Sequence, residues 1–409
     1  MLKLDNIKIS GADYGFILVV LILVLIGLIA IYSASYQVES PVLKANFIRQ
    51  VLWFLVGLIF MVTAIIIPSR AYWASAYWLY FITIILLLFI LMLNRGSAVA
   101  RWIDIGPLRF QPAEFAKISV LIVLARYLSH EKRNLNNFKD IAISFGIIFL
   151  PFLLIAKQPD LGTALVFLAI ILPVLFWAGL PSFFLFAITT PFIVMLSSFN
   201  YYMYFLAMIL IALTLLFFKR GLFLSLLVMG LNIVVGIVTP LLWNHLHEYQ
   251  QHRVLTFLGL EMDPQGLSYQ VIQSKVAIGS GGFWGKGLLH GTQTQLRFLP
   301  EQHTDFVFSV IGEELGFIGS FIVIVLFLIL LLRAIYIASK VRNKFSGLMV
   351  IGATTILGFH IIINIGMTVG MMPVTGLPLP FLSYGGSFLI VSMILIGIII
   401  NASVRRFKY

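Results

Sequence analysis

The chain has 409 residues, of which 61% are hydrophobic and 10% charged, and it contains no cysteine. The lack of cysteine excludes disulfides, thiolate metal sites and thiol nucleophiles. A net charge of +12 would suggest a nucleic-acid ligand in a soluble protein, but this chain carries repeated apolar runs of 17 or more residues, such as FILVVLILVLIGLIAIY at 16–32. Such runs can cross ~30 Å of hydrocarbon as helices. The composition therefore predicts an all-α polytopic integral membrane protein with no nucleic-acid partner.

The apolar runs predict about 10–12 transmembrane helices, and twelve can be placed. The first follows a short polar lead without a small-residue cleavage site, so we expect it to be retained. We expect a single domain, 1–409, with one large extracytoplasmic loop at about 244–304. The expected helices are 14–34, 51–68, 74–93, 112–128, 140–156, 162–178, 182–198, 201–217, 221–243, 305–333, 347–369 and 384–403.

The charges between these helices predict their orientation. With a cytoplasmic N-terminus, lysine and arginine clusters such as those at 132–139, 340–344 and 405–408 lie on the cytoplasmic side, as the positive-inside rule requires. The C-terminus is then cytoplasmic too. Most of the carboxylates thread to the opposite, outer face: Glu114, Asp160, Glu261, Asp263, Glu301, Asp305, Glu313 and Glu314.

The first polar motif at the outer face is GSAVARWIDIGPLRFQPAEFAK, at 96–117. It places Arg101 and Arg109 in a loop before the fourth helix, on which Glu114 and Lys117 are spaced i, i+3 and can pair. One interpretation is a salt bridge at a helix end with arginines beside it. The other is an ion pair that faces a polar cavity, where charges inside a membrane usually lie.

Two further motifs carry single charges among prolines and glycines. In KQPDLGTA, at 157–164, Asp160 either caps the sixth helix or belongs to the same polar cavity. The glycine-rich GSGGFWGKGLLHG, at 279–291, lacks the Ser or Thr that follows the lysine of a nucleotide P-loop. Its backbone N–H groups could still approach an anion, with Lys286 close by.

The last two motifs flank the final helices. FLPEQHTDFVFSVIGEELG, at 298–316, reads as an acidic entry to a helix, with Asp305 in the first turn against the helix dipole. His303 does not by itself indicate a metal. MPVTGLPLPFLSYGGS, at 372–387, predicts a rigid outer loop or a broken helix. The parts of metalloproteases and serine hydrolases are missing from the sequence.

Carboxylates and cations at an outer-face cavity fit two classes of function equally well. The cations could hold the pyrophosphate of a lipid-linked substrate while an acid removes a proton from a sugar hydroxyl. The same groups could form the gate of a transporter.

Taken together, the motifs resemble the SEDS family (shape, elongation, division and sporulation) of bacterial cell-wall proteins over nearly the whole chain. RWIDIGPLRFQPAEFAK is similar to the family's arginine–tryptophan loop and Q-P-S-E-x-x-K helix, with Ala113 in place of the usual serine. GKGLLHGTQTQLRFLPEQHTDF is more similar to the elongation member than to the division member. The resemblance implies a peptidoglycan glycosyltransferase that polymerises lipid II during elongation, at the outer face of the cytoplasmic (inner) membrane.

The resemblance also implies site residues and partners. The acid before a proline and ahead of a Tyr-x-x-x-Gln, Asp263, is the implied catalytic base, with Glu261 as a local competitor. The implied partners are a class B penicillin-binding protein and other membrane proteins of the elongation complex. A divalent cation, Mg²⁺ or Mn²⁺, is the one cofactor left open. The implied substrate-binding residues are Arg101, Trp102, Arg109, Glu114, Lys117, Asp160, Lys275, Lys286, His303 and Ser383.

One departure from the family concerns helix number. The family commonly has ten helices, and residues 182–217 are expected to add a helical hairpin before the large loop. Two added helices return the chain to the same side of the membrane. The orientation of the later segments, and with it the site assignment, is therefore unaffected. Two alternatives to the enzyme are a lipid II flippase or other transporter, and a non-catalytic scaffold. A transporter needs charges at several depths, whereas these charges gather at one face.

Overall fold

A computed structural model describes residues 13–36, 41–93, 101–105, 108–218, 221–243, 251, 267–296 and 298–405. The helices are α1 (Tyr14–Ser35), α2 (Pro41–Ile66), α3 (Ser69–Leu93), α4 (Pro112–Ser129), α5 (Phe138–Ala156), α6 (Leu161–Ala178), α7 (Ser182–Ser197), α8 (Tyr201–Phe217), α9 (Leu222–Trp243), α10 (Leu267–Gly281), α11 (Thr292–Gln295), α12 (Val307–Lys340), α13 (Lys344–Thr368) and α14 (Gly386–Val404). Strands β1 (Ile103–Ile105) and β2 (Leu108–Phe110) form an antiparallel ribbon between α3 and α4.

Each of the twelve expected membrane helices has a counterpart in the structure. Nine helices of the described part are long and apolar enough to cross a membrane. The helices α7 and α8 are apolar but shorter, and α4 carries Glu114, Lys117 and Arg126 among its apolar residues. The expectation of an all-helical polytopic membrane protein is therefore confirmed.

The chain divides into two compact units, one formed by residues 1–178 and 262–409 and the other by residues 179–261. In the first unit, α13 and α14 are the most buried of the candidate membrane helices. Their residues are apolar around the whole circumference, which is typical of a helix enclosed by other helices. At Gly397 of α14, an added Cβ would lie 2.6 Å from the carbonyl oxygen of Met61 in α2. Glycine thus permits the close packing of α2 on α14.

The helix α12 is broken near its start, at Gly316, whose φ of 65° and ψ of −159° are not helical. Positive φ at this point suits glycine because it has no Cβ. Two backbone carbonyls before the break and two N–H groups after it hydrogen-bond to the backbone of residues 282–287 at 2.9–3.3 Å. The segment between α10 and α11 is thereby joined to α12 through its main chain.

The loop from Met372 to Gly385 connects α13 to α14 and is held by side chains from distant helices. The Asn364 amide of α13 donates to the carbonyl oxygen of Leu377 at 2.7 Å. Gln50 of α2 donates to the carbonyl oxygen of Ser383 at 3.2 Å and accepts from the N–H of Gly385 at 3.2 Å. This loop is therefore fixed against α2 and α13, as its prolines predict.

The second unit contains α7, α8 and α9 around a small apolar core. Asn200 caps α8 by accepting from the N–H groups of Tyr202 and Met203 at 3.0 and 3.2 Å. Asn232 is buried on α9 and donates to the Thr190 hydroxyl at 3.0 Å. The two helices expected for the extra hairpin, α7 and α8, are thus present and pack with α9.

Candidate active site

A polar cavity of about 1050 Å³ lies within the first unit. Its walls come from residues 46–56 of α2, the start of α6, the ribbon and start of α4, the residues before α12 and the loop before α14. Four of these segments lie where a helix begins (α4, α6, α12 and α14), so the cavity lies towards that end of the helix bundle, with α2 extending along one side. Its charged or titratable lining residues are Arg49, Arg101, Arg109, Glu114, Asp160, Glu301, His303, Asp305 and Tyr384.

One wall of the cavity is formed by Arg101 and Asp160. The Arg101 guanidinium donates to the carbonyl oxygens of Gln158 and Pro159 and lies 3.9 Å from the Asp160 carboxylate. Asp160 also accepts from the Gln111 amide at 3.0 Å and from the N–H of Thr163 at 3.2 Å. Asp160 therefore caps α6 and also lines the cavity. Both interpretations of its motif hold in the structure.

The floor of the cavity contains a buried ion pair. The Lys117 ammonium, which is 0% exposed, donates to Glu114 at 2.7 Å and contacts Nε2 of His360 at 3.0 Å. Glu114 is 3% exposed and lines the cavity. Burying charges is costly unless they are paired and hydrogen-bonded, and here each member has a partner of the opposite charge. The spacing i, i+3 on α4 predicts this pair, and the structure contains it.

Two further carboxylates, Glu301 and Asp305, line the cavity from the residues just before α12. Burial, reinforced by the negative charge of Glu301, raises the pKa of Asp305 from 3.8 to about 6. Asn364 donates to the backbone oxygen of Asp305 at 2.8 Å, and the N–H of Tyr384 donates to the backbone oxygen of His303 at 2.9 Å. These bonds fix the segment while its side chains line the cavity. A carboxyl with a pKa near neutrality is suited to exchanging protons.

The structure brings most of the implied substrate-binding residues together. Arg101, Trp102, Arg109, Glu114, Asp160 and His303 line the cavity. Lys117 is not in the cavity wall but donates a hydrogen bond to Glu114, which is. The implied base, Asp263, and its competitor Glu261 lie outside the described residues.

Three implied residues are placed elsewhere. Lys286 donates to Glu313 at 2.8 Å and to Thr292 at 2.7 Å. The buried Ser383 hydroxyl accepts from the N–H of Leu379 at 2.8 Å within its own loop. Lys275 on α10 ends beside the backbone of residue 370, where a Cβ would lie 2.6 Å from its ammonium nitrogen. None of these three side chains is part of the described cavity wall.

The implied set of site residues left out Arg49, Glu301, Asp305 and Tyr384, which line the cavity, and His360, which contacts the ion pair. Arg49 lines the cavity from α2, and an arginine just before an apolar run is a signal that could have identified it. His360 contacts Lys117 from the middle of the apolar helix α13. A single histidine within an apolar helix is a recognisable signal, but its partner lies 243 residues away.

In the part of the cavity that the structure describes, no group of three or more His, Cys, Asp or Glu side chains could hold a metal ion. The described residues therefore contain no ready-made set of three protein ligands for Mg²⁺ or Mn²⁺, although Mg²⁺ is commonly held by only one or two carboxylates together with phosphate oxygens and water. A divalent cation at this cavity would need ligands from the substrate or from residues outside the described ranges.

The fold and cavity define a helical membrane protein with a charged site at one end of its helix bundle. Known proteins are similar to this chain in sequence and fold. The family model described as "Cell cycle protein", which covers FtsW, RodA and SpoVE, matches residues 14–207 and 201–408. The chain therefore belongs to this family, the SEDS family, and the resemblance noted from the motifs is confirmed.

Individual relatives match over nearly their full length. The chain is 38% identical to the peptidoglycan glycosyltransferase MrdB of Escherichia coli K12, with 96% of this chain and 94% of MrdB covered. It is 34% identical to the peptidoglycan glycosyltransferase RodA of Treponema pallidum, with 97% and 99% covered. A solved chain from a peptidoglycan synthase complex is similar with a TM-score of 0.73 and 29% identity, with 97% and 99% covered.

Proposed function

We propose that this chain is a peptidoglycan glycosyltransferase that polymerises lipid II at the outer face of the bacterial cytoplasmic membrane during elongation, with both termini in the cytoplasm. The observation that carries the proposal is the cavity, in which three arginines and several carboxylates meet at one end of a membrane helix bundle. The relatives named as peptidoglycan glycosyltransferases support the same activity.

The arginines and the acids have separate tasks in this reaction. Arg49, Arg101 and Arg109 hold the pyrophosphate of the donor, because guanidinium groups bind phosphate oxygens in a bidentate manner. The 4-hydroxyl oxygen of the acceptor sugar attacks the anomeric carbon of the donor and loses its proton to a carboxylate. A glycosidic C–O bond forms, the bond to the pyrophosphate breaks, and undecaprenyl pyrophosphate leaves. The arginines stabilise the charge on this leaving group.

The carboxylate that takes the proton is proposed to be Asp263. Its support is the sequence pattern around it, in which Pro264 follows directly and Tyr269 and Gln273 form the Tyr-x-x-x-Gln. In the sequence the residue stands four positions before the start of α10 at Leu267.

The proposed partner is a class B penicillin-binding protein, which crosslinks the strands that this chain makes. The similarity to a chain from a peptidoglycan synthase complex that coordinates polymerization and crosslinking supports this partner. Other membrane proteins of the elongation complex are proposed to bind as well.

The test is a polymerisation assay with purified protein and labelled lipid II, in the presence of moenomycin to silence glycosyltransferases of the other class. We expect Asp263→Asn to lower the rate by ~10²–10⁴-fold, because the amide keeps the shape and removes the base. The matched control is Glu261→Gln, two residues away. If the control loses activity and Asp263→Asn keeps it, the base is Glu261. If wild-type protein moves lipid II across vesicles without polymerising it, the chain is a flippase.

A further inference from the structure

The buried ion pair at the cavity floor has a third member that the proposed mechanism does not use. His360, on α13, is 0% exposed, and its two ring nitrogens each contact a different group. Nε2 lies 3.0 Å from the Lys117 ammonium, and Nδ1 lies 3.1 Å from the carbonyl oxygen of Pro378. Pro378 belongs to the loop before α14 and lines the cavity. His360 therefore links the ion pair of α4 to that loop.

The partners of His360 determine where its proton lies. A carbonyl oxygen accepts hydrogen bonds and cannot donate them, so Nδ1 must carry a hydrogen towards Pro378. A lysine ammonium donates and cannot accept, so Nε2 must be the acceptor of Lys117. Both contacts require the same species, a neutral imidazole protonated at Nδ1. An imidazolium would place two donors face to face at the 3.0 Å contact with Lys117.

The same network uses two of the three N–H groups of the Lys117 ammonium. Lys117 donates to Glu114 Oε1 at 2.7 Å and to His360, and its nitrogen lies 5.6 Å from the centre of the Phe388 ring. A cation over an aromatic face is attracted to it. Lys117 is 0% exposed and is not among the residues that line the cavity, whereas Glu114 is.

Glu114 is the group that this arrangement presents to a ligand. Its Oε1 is taken by Lys117, while its Oε2 is buried and has no hydrogen-bond partner among the described residues. Buried polar atoms are normally hydrogen-bonded, so an unpaired oxygen at a cavity wall points to a donor brought by the ligand. Since Lys117 already balances the charge of Glu114, a neutral donor is favoured over a cation.

We infer that His360 is a positioning residue: as a neutral imidazole it holds Lys117 against Glu114, so that Glu114 Oε2 accepts a hydrogen bond from a sugar hydroxyl or amide N–H of the substrate. The inference rests on the proposed function for the identity of that substrate. It differs from the sequence expectation in that Lys117 acts on the ligand through Glu114.

Two variants separate positioning from bulk packing. In His360→Gln, the side-chain oxygen can accept from Lys117 and the amide nitrogen can donate to Pro378, so most of the activity is retained. In His360→Leu, both bonds are lost, and a Glu114 displaced by about 1 Å lowers kcat on the order of 10²-fold. KM changes little because the arginines still bind the pyrophosphate. The matched control is Thr354→Val, a buried threonine of the same helix whose hydroxyl donates to the carbonyl oxygen of Val350 at 2.7 Å.

The second measurement is independent of activity. The chain has seven histidines, and the ¹⁵N NMR signals that disappear from histidine-labelled protein in His360→Gln belong to residue 360. We expect the neutral form protonated at Nδ1 in wild-type protein at pH 7. An imidazolium, or a form protonated at Nε2, overturns the inference.

The two readouts also distinguish this inference from the proposed function. Wild-type protein that fails to polymerise lipid II contradicts the proposed function, while the NMR measurement still tests the role of His360. Active wild-type protein together with an unchanged kcat in folded His360→Leu overturns the inference alone. If His360→Leu does not fold, a large loss of kcat in folded His360→Gln likewise overturns the inference, since that variant keeps both bonds.

Discussion

At the scale of single residues, Asp305 combines an altered pKa with a place in the cavity wall. Because its pKa is raised to about 6 in the folded protein, the fold binds this proton more tightly than the unfolded chain does. The free energy of unfolding therefore falls as the pH rises from 3.8 to about 6. Above that window the cost of the ionised group stays constant.

We predict that Asp305→Asn stabilises the protein at pH 7.5 and not at pH 4, since asparagine cannot ionise. The shift corresponds to at most ~3 kcal/mol, and partial exposure reduces it to about 1 kcal/mol, or ~1 °C in Tm for a chain of this length. The same variant is expected to lose polymerisation activity. Thermal unfolding at the two pH values measures the effect, with the exposed Glu131→Gln as control. Equal stabilisation at both pH values would show that ionisation of Asp305 is not the cause.

The sequence predicts contacts between site residues well when the partners are close in sequence, and poorly when they are far apart. Glu114 and Lys117 are three positions apart on one helix, so helical geometry alone predicts their pairing. Lys286 pairs with Glu313, which is 27 residues away in the sequence. The local geometry of a helix or turn cannot predict a pair at that separation. The glycines around Lys286 favour an anion site in the sequence, whereas in the structure the lysine contacts a carboxylate of its own chain.

At the scale of secondary-structure elements, Glu313 holds the end of the large loop against α12. Its carboxylate accepts from Lys286 at 2.8 Å, from the N–H groups of Gln293 and Thr294 at 2.9 Å, and from the Thr294 hydroxyl at 2.7 Å. The two N–H groups belong to the first turn of α11, where a negative charge is favourable. This side chain therefore anchors α11 directly.

We predict that Glu313→Gln loosens this segment without unfolding the helices around it. The new amide group would face several donors, and the loss of charge-assisted bonds costs about 1.5–3 kcal/mol. This cost should speed hydrogen exchange at the amides of residues 286–295 by ~10–100-fold. Exchange in α13 and α14 should not change. The control is again Glu131→Gln, and protection of 286–295 equal to wild type would show that the backbone bonds to the broken helix suffice.

The sequence predicts the positions of the membrane helices to within a few residues for most elements, because long apolar runs are a direct signal. The break at Gly316 is not predicted, since a glycine within an apolar run is common in membrane helices. Its effect depends on residues 282–287, which supply the backbone partners. Only the tertiary fold brings these two segments together.

The hairpin of α7 and α8 gives a topological prediction. With a cytoplasmic N-terminus, its tip near residues 199–201 lies outside the membrane while Lys219 and Arg220 lie inside. The cysteine-free chain allows single-cysteine labelling, and Tyr201→Cys is preferable to a change at Asn200, which caps α8. We expect labelling by an impermeant maleimide in intact cells, whereas Glu131→Cys should react only after permeabilisation. The reverse pattern would require the large loop to be rethreaded.

At the scale of the whole molecule, the proposed reaction needs Asp263 to meet a cavity built from five separate segments of the chain. The large loop is rich in glycine and has no disulfide, so little in its own sequence fixes the carboxylate against the cavity arginines. A base misplaced by about 1 Å can cost on the order of 10²-fold in rate. A partner can correct this only if it binds the active arrangement more tightly than the idle one.

We therefore predict that the isolated protein polymerises lipid II slowly and that its cognate class B penicillin-binding protein accelerates it by about 10–100-fold. The measurement compares the purified chain alone with the chain plus a partner whose transpeptidase serine is inactivated, so that crosslinking cannot pull the reaction forward. The control pairs the same partner with Asp263→Asn, which should stay inactive because a positioned amide still cannot accept the proton. Equal rates with and without the partner would show that the loop is already organised in the isolated chain. The partner would then act on the finished strands and not on the polymerase.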